Sequence, residues 1–431
     1  MPSPASRKKK PFFPREGAQS PYSVAQQRYA ALGVDSDAAL LALAQIPLSL
    51  PCWQGDDVQG FEPSKLPLSG GIAATGSYPG RARTLQELRQ DLEFALSLIP
   101  AKHRLNLHAS YGDFGPTAVP RDAIEPEHFQ SWITWAKTLG IGLDFNPTLF
   151  SHPKAVDGFT LSHPSKAIRK FWIEHAIRSR RIGAAMGRAL HAPSVTNLWI
   201  PDGSKDSPAD RLAPRKRLAD SLDEIFAENL RGTLDSLEPK LFGIGSESYV
   251  VGSHEFYLAY ALSRKKLLCL DSGHYHPTEN VADKITSLLQ FFPQLLLHLS
   301  RGIRWDSDHV VIQNDELLAI TREIIANRLQ SRVRIGLDSF DASINRVAAW
   351  VIGARATQRA LLIALLEPTQ ALREAENQGD PTGRLALQEE IKALPFGAVW
   401  ERFCEIHQVP PDHQWIAKVR RYEADVLARR S

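Results

Sequence analysis

The strongest constraint on the fold is the alternation of short apolar runs with longer amphipathic segments along most of the 431-residue chain. Segments with apolar residues at i, i+3, i+4 and i+7 spacing predict helices, among them 85–99, 128–139, 167–190 and 215–230. Runs rich in Leu, Ile or Val predict strands at 46–53, 104–110, 142–147, 195–200, 233–240, 267–273, 294–300 and 332–340. Eight strands that alternate with helices predict the α/β class and a (β/α)₈ TIM barrel.

The chain divides into three predicted parts. Residues 1–20 are rich in Pro, Ser, Lys and Arg, which predicts a disordered basic tail. Residues 21–345 hold the predicted catalytic barrel, and residues 346–431 read as a C-terminal helical extension. Within that extension, AAWVIG and RALLIALLEP carry more apolar surface than one barrel needs. We therefore expect the extension to contribute contacts in a homo-oligomer.

The amino-acid composition limits the cellular compartment and the kinds of partner that we expect for this chain. The net charge of +3 is nearly balanced, which argues against a nucleic-acid surface. No apolar run is long enough to span a bilayer, and the basic N-terminal segment lacks the apolar stretch of a secretory signal. Three widely spaced cysteines, Cys52, Cys269 and Cys404, fit a reducing compartment. We expect a cytoplasmic protein with no nucleic-acid partner and no membrane partner.

Acidic residues and histidines recur at the ends of the later strands. A parallel barrel gathers such residues at the carboxyl ends of its strands. One Asp at a strand end is more often a helix cap or turn residue, and a lone His in an apolar run is more often a core residue. Several carboxylates in one pocket would repel each other unless a cation joined them. The residues concerned are Asp271, His274, His298, Asp306, Asp308 and Asp338.

These ligands predict a metal site but no particular reaction. They are mostly oxygen donors with about one imidazole per site, and no cysteine is well placed. Such a set favours Mn²⁺ or Mg²⁺ over structural zinc, with Co²⁺ and Zn²⁺ left open.

Long motifs also resemble the L-rhamnose isomerase family over roughly residues 22–430. They include CWQGDDVQGFE, GLDFNPTLFSHP, LDSGHYHPTE, RWDSDHVV and GLDSFDASINRVAAWVIG. The resemblance implies a TIM barrel with a C-terminal helical extension and a homotetrameric assembly. It also implies interconversion of L-rhamnose and L-rhamnulose with a divalent metal, typically Mn²⁺.

The resemblance assigns metal ligands residue by residue. From the residues alone, Glu247 in GIGSESY looks more like a motif than Glu238 in LEPK, and the resemblance favours Glu238. The ligands that it implies for a structural metal are Glu238, Asp271, His298 and Asp338. Those that it implies for a catalytic metal are His274, Asp306 and Asp308.

It also assigns substrate contacts. The catalytic residues that it implies are Lys240 and Asp306. Lys240 would donate a hydrogen bond to O1 of the sugar, and the alternative for this residue is a strand-end salt bridge. His108 and Trp199 are implied substrate contacts. The alternative for His108 is a buried, hydrogen-bonded histidine, and the alternative for Trp199 is core packing. The apolar lining implied for the C6 methyl is Val58, Leu68 and Ile72, against ordinary loop packing. Gly70 and Gly71 in the same loop permit movement, which suggests a lid.

Three other functions stay open at this point. One is a metal-dependent isomerase that prefers another aldose. Another is a TIM-barrel metallohydrolase, which usually needs more histidines and a basic groove for phosphate. The third is a catalytically silent barrel used for binding, against which the complete ligand set argues.

Overall fold

Parallel strands close into a barrel whose order around the ring is the order along the chain. The computed structural model describes residues 19–63, 67–116, 118–240, 242–276, 278–303 and 308–430. Within them the eight barrel strands are β1 Leu48–Pro51, β2 Arg104–His108, β3 Gly142–Asn146, β4 Ser194–Trp199, β5 Thr233–Glu238, β6 Leu267–Asp271, β7 Leu295–Leu299 and β8 Val333–Leu337. Each lies within or overlaps a predicted strand, and the predicted TIM barrel is confirmed.

The strands read as continuous apolar runs because helices cover their outer faces. All five residues of β6 and of β7 are buried. His298 is the polar exception within β7, and Asp271 is the last residue of β6. Their Cα positions pair in the parallel register of the two strands. The sheet thus brings two ionisable side chains to neighbouring strand ends.

Helices follow each barrel strand. Several of their N-termini are capped by side chains; Asn314, for example, accepts a 3.0 Å hydrogen bond from the amide of Leu317. The helices that follow β1 to β8 are α3 Leu85–Leu96, α4 Gln130–Leu139, α5 Lys166–Ala189, α6 Leu212–Ile225, α7 His254–Arg264, α8 Val281–Leu288, α9 Asp315–Ala326 and α10 Arg346–Leu365. Among the described residues, α1 Pro21–Ala30 and α2 Ser36–Ala44 precede the barrel. The chain ends with α11 Thr369–Asn377, α12 Pro381–Glu390, α13 Phe396–Ile406 and α14 Gln414–Asp425.

Helix α10 occupies the place of the eighth barrel helix. It follows β8, packs against α9 and α3, and contacts β1. The indole of Trp350 in α10 donates a 2.8 Å hydrogen bond to the carbonyl of Pro51 at the end of β1. Most of the apolar side chains of AAWVIG and RALLIALLEP, which suggested oligomer contacts, are buried within this one chain. The boundary after residue 345 stays a prediction.

The remaining helices lie outside the ring. Helix α13 packs against α1, α2 and α10. In the described part of the chain, neither α11 nor α12 has a buried residue, and Leu385 of α12 is 58% exposed. Residues 1–18 of the predicted tail lie outside the described residues. Across the described ranges no single helix is long and apolar enough to cross a membrane, and only α10 and α11 taken together, as a bent pair, meet that test.

Gly187 in α5 marks a close approach between helix and barrel. A Cβ built at this position would lie 1.8 Å from the carbonyl oxygen of Gly232 and 2.9 Å from the amide of Ser194. Backbone atoms cannot swing aside, so we expect Gly187→Ala to lower the free energy of unfolding by about 3 kcal/mol. Urea denaturation measures the change. Gly397→Ala in α13, where no described atom lies within 4 Å, is the control and should be neutral or slightly stabilising.

Candidate active site

A cavity of about 550 Å³ opens at the carboxyl ends of the barrel strands. This is the face on which TIM barrels build their sites, and the size suits a small molecule. The polar and aromatic residues of its lining include Trp53, His108, Asn146, Trp199, Glu238, Lys240, Glu247, His274, Asp308 and Asp338. A second cavity of about 490 Å³ lies beside the loop after β6, and its described lining shares no residue with the first.

Ionisable side chains from four successive strands converge beside the first cavity, whose lining includes two of them, Glu238 and Asp338. Glu238 ends β5, Asp271 ends β6, His298 lies in β7 and Asp338 follows β8. Their nearest ligand atoms all lie within 4.8 Å of one another. The Nδ1 atom of His298 is 3.0 Å from Glu238 Oε2 and 3.2 Å from Asp338 Oδ2. Each side chain belongs to a residue at most 6% exposed.

The electrostatics of this cluster suit a cation. Desolvation disfavours a charged imidazole, yet Cys269, Glu238 and Asp338 hold the pKa of His298 well above its usual range. Burial opposes ionisation of Glu238, but the facing His298 brings its pKa down to about 2. Burial also raises the pKa of Asp338. Without a cation the carboxylates favour a proton on His298, and a divalent cation would take the place of that proton. Three oxygen donors with one neutral imidazole are a set that fits Mn²⁺ or Mg²⁺.

Cys269 is a neighbour of the cluster and a weaker candidate ligand. It forms a second close group with Glu238 and His298, since it precedes Asp271 by two residues on β6 and faces the same side. Burial raises the pKa of its thiol well above the usual range, and only the thiolate binds metals well. Cys269 also packs among Val195 and Leu296. We assign it to the core below the site.

Lys240 places a positively charged ammonium group at the wall of the cavity. Its ammonium donates hydrogen bonds to the carbonyl oxygens of Gly70, at 2.7 Å, and Pro201, at 3.1 Å. The nitrogen lies 5.3 Å from the centre of the Trp199 ring, a distance at which a cation is attracted by an aromatic face. Lys240 therefore links the loop after β1 to the strand end of β4.

His108 at the end of β2 presents a neutral ring to the cavity. The residue is 3% exposed, and neither ring nitrogen has a hydrogen-bond partner within the described ranges. Burial lowers the pKa of His108 to about 3, with a smaller contribution from His298. Its ring centre lies 4.1 Å from that of Trp53. Such an imidazole can donate one hydrogen bond and accept one.

Comparison with known proteins identifies the family. The family model for L-rhamnose isomerase matches residues 17–430. An L-rhamnose isomerase from Rhodopirellula baltica is 58% identical over 95% of this chain and 96% of its own. One from Cronobacter sakazakii is also 58% identical, over 95% of this chain and 98% of its own. The chain belongs to the L-rhamnose isomerase family. It is an aldose–ketose isomerase, and the metallohydrolase and silent-barrel alternatives are set aside.

More distant solved structures give weaker likenesses. An L-ribulose 3-epimerase is 16% identical with a TM-score of 0.45, covering 72% of this chain and 95% of its own. A xylose isomerase domain protein from Alicyclobacillus acidocaldarius is 14% identical with a TM-score of 0.43, covering 65% and 94%. The fold assignment rests on the closed strand order described above.

The two ligand sets implied by the L-rhamnose isomerase resemblance are placed to different extents. All members of the first set, Glu238, Asp271, His298 and Asp338, converge. Of the second set, His274 and Asp308 line the cavity. The Nδ1 atom of His274 is 3.4 Å from Glu238 Oε1, which puts the two sets side by side. Asp306 lies outside the described residues.

Glu247, the alternative that the sequence suggested, does not join the cluster. It also lines the cavity, but its carboxylate accepts a 3.2 Å hydrogen bond from the amide of Gly245 within its own loop. Glu238 instead meets His298 and His274. The barrel geometry thus favours the glutamate that the family resemblance selects.

The three apolar residues assigned to the C6 methyl occupy different places. Ile72 lines the cavity. Val58 is 5% exposed and lies in the hydrophobic core, and Leu68 packs against that core; neither is among the described residues of the cavity lining. Val58 has a positive φ of 61°, so the chain turns at a point that apolar composition does not reveal. Only Ile72 is positioned to touch a ligand.

The described cavity lining also includes polar residues to which the sequence assigned no role, among them Asn146 and Trp53. Asn146 ends β3 as His108 ends β2, and their Cα positions pair in register. Trp53 follows β1 and contacts the ring of His108. Asn146 carries the same sequence signal as His108, a polar residue that terminates an apolar run.

Proposed function

We propose that this protein interconverts L-rhamnose and L-rhamnulose with the help of a divalent cation. The observation that carries the proposal is the convergence of Glu238, Asp271, His298 and Asp338 at the base of a sugar-sized cavity in a member of this family. The relatives named above are L-rhamnose isomerases over nearly their whole length, which supports L-rhamnose as the substrate.

We propose Mn²⁺ as the cation, with Mg²⁺, Co²⁺ and Zn²⁺ as alternatives. Glu238, Asp271, His298 and Asp338 would hold one ion, and His274, Asp306 and Asp308 a second. A bound divalent cation supplies charge that polarises sugar oxygens and eases their deprotonation. The chain's own part is to hold its carboxylates in a dry, fixed arrangement.

The reaction moves one hydrogen between carbons and one proton between oxygens. From aldose to ketose, we propose that the hydrogen on C2 passes to C1 as hydride and the O2 proton reaches O1. Lys240 would donate a hydrogen bond to O1, where negative charge develops, because its ammonium is already fixed at the cavity wall by two carbonyls. His108 and Trp199, whose rings both contact Phe150, would hold the sugar from the ends of β2 and β4.

The test of the proposed function is a comparison of aldoses. We expect kcat/KM to be highest for L-rhamnose and lower for L-mannose and D-allose, with ketose formation as the readout. One apolar contact discriminates by roughly 10- to 200-fold, so slow turnover of L-mannose is compatible with the proposal. A higher kcat/KM for either rival sugar would assign the enzyme to another aldose.

Ile72 provides a sharper test of how the methyl group is recognised. Removing its side chain beyond Cβ should cost about 1 kcal/mol of methyl burial, or about a fivefold loss in kcat/KM for L-rhamnose. L-lyxose lacks the C6 methyl, so Ile72→Ala should affect it much less. The substitution should raise KM and leave kcat nearly unchanged, because the contact is equally strong in the ground state and the transition state. Leu68→Ala, from the same loop but outside the cavity lining, is the control; equal losses on both sugars in Ile72→Ala would contradict methyl recognition.

We further propose a cytoplasmic homotetramer. The family resemblance implies the tetramer. The lack of buried residues in α11 and α12, within the described structure, supports their use as contacts between subunits. The apolar content of α10 no longer supports it, since that helix is buried against its own barrel.

A further inference from the structure

A wall of buried polar atoms faces the cavity from the first strands of the barrel. Trp53, His108 and Asn146 stand at the ends of β1, β2 and β3, and they are 6%, 3% and 2% exposed. Within the described chain, the Nε1 atom of Trp53, both ring nitrogens of His108 and the Oδ1 atom of Asn146 have no hydrogen-bond partner. All three side chains line the cavity. Buried polar atoms are normally satisfied, so this wall is shaped for a polar ligand.

The wall and the cation cluster draw on different strands of the ring and adjoin where β1 pairs with β8. The cluster draws on β5 to β8, whereas the wall draws on β1 to β3. Under the proposed function, the sugar carbons C1 and C2 react beside the cation ligands and Lys240, and the other carbons extend into the rest of the cavity. Those carbons carry hydroxyl groups, which need acceptors as well as donors. Asn146 offers a carbonyl oxygen that no described group of the protein occupies.

We propose that Asn146 is a substrate-binding residue that determines specificity by accepting a hydrogen bond from one hydroxyl group on C3, C4 or C5 of the sugar. The inference rests on the proposed function and adds a residue to it. His108 is its neighbour in register, so the two side chains read adjacent parts of the ligand. A sugar without that hydroxyl leaves the amide oxygen buried and unpaired, which is the strongest form of hydrogen-bond selection.

The test compares one substitution across matched sugars. kcat/KM is measured for wild type and Asn146→Ala with L-rhamnose and with its 3-deoxy, 4-deoxy and 5-deoxy analogues. With L-rhamnose we expect Asn146→Ala to lose roughly 10- to 100-fold. With one of the deoxy analogues the loss should shrink to about twofold or less, because the hydroxyl that Asn146 reads is already missing. A residue with a purely structural role would give the same loss with every sugar.

Asn106 supplies a matched control. It lies two residues before His108 on β2, is 5% exposed, and also has an unpartnered Oδ1 among the described residues, but it is not part of the described cavity lining. Asn106→Ala should change all four sugars by the same factor. Asn146→Leu, which keeps the volume and removes the amide, replaces Asn146→Ala if that variant fails to fold.

Each outcome is decisive. If wild type forms no ketose from L-rhamnose, the proposed function fails and the inference fails with it. If wild type is active but the loss in the Asn146 variant is equal for all four sugars, only the role of Asn146 is overturned. If wild type itself uses all three deoxy analogues as well as L-rhamnose, no hydroxyl on these carbons is read, and the inference is again overturned whatever the variants do.

Discussion

Replacing Glu238 with alanine is expected to reduce kcat/KM for L-rhamnose by ~1000-fold or more while leaving the barrel folded. Glu238 is the carboxylate that meets both His298, at 3.0 Å, and His274, at 3.4 Å. The substitution removes one ligand from the cluster of Glu238, Asp271, His298 and Asp338. It also removes the carboxylate that links this cluster to His274 of the second ligand set. Ketose formation measures the activity, calorimetric titration with Mn²⁺ measures cation affinity, and circular dichroism checks the fold.

Glu247→Ala is the matched control for this substitution. Glu247 is also a glutamate of the cavity lining, but its carboxylate is bound to the amide of Gly245 outside the cluster. We expect its effect on kcat/KM to stay within about 10-fold and its effect on Mn²⁺ affinity to be small. A larger loss of affinity from Glu247→Ala than from Glu238→Ala would mean that the cation sits elsewhere in the cavity.

Lys240→Met is expected to lower kcat by about 100-fold, the cost of losing one donor aimed at developing charge on oxygen. Methionine keeps an unbranched side chain of similar length, so the cavity wall is retained. Steady-state kinetics with L-rhamnose should show a much smaller rise in KM. Lys170→Met, at an exposed position on α5, is the control and should leave both constants unchanged.

The split between kcat and KM separates two roles for Lys240. The ammonium also holds the carbonyl of Gly70, so a lysine that only positions the loop would act on substrate binding. A variant that raises KM by the larger factor would contradict a direct contact with O1 and leave Lys240 as a positioning residue.

Strands such as β6 and β7 follow from the sequence because each is an apolar run that is buried on both faces. Even 233–240, the run with the weakest apolar character, forms β5 at Thr233–Glu238. The eighth helix was harder to assign. Segment 346–365 is apolar almost all round, a pattern shared by a helix buried under other helices and one buried by another subunit. Sequence alone does not distinguish these two environments.

The site could be predicted where strand ends define it and not where loops do. Asp271, His298 and Asp338 follow from their place at the ends of parallel strands. The choice between Glu238 and Glu247 depends on where β5 stops, which apolar patterning fixes only to within a few residues. The family resemblance implied that Val58 contacts the sugar, whereas the structure gives this residue a positive φ and buries it in the core. Loop direction depends on such single dihedral angles, which no periodic pattern encodes.

The most direct test of the account is the conversion of L-rhamnose in deuterated water, followed by NMR, by protein stripped with a chelator and then reloaded with Mn²⁺. We predict no ketose from the stripped protein, full conversion to equilibrium after reloading, and little deuterium at C1 of the product, since the hydrogen from C2 moves to C1 directly. Ketose formation that persists at the same rate after thorough chelation would contradict a cation-dependent site at Glu238, Asp271, His298 and Asp338. Extensive deuterium at C1 would contradict the hydride transfer and would mean that a base on the protein removes the proton and exchanges it with solvent.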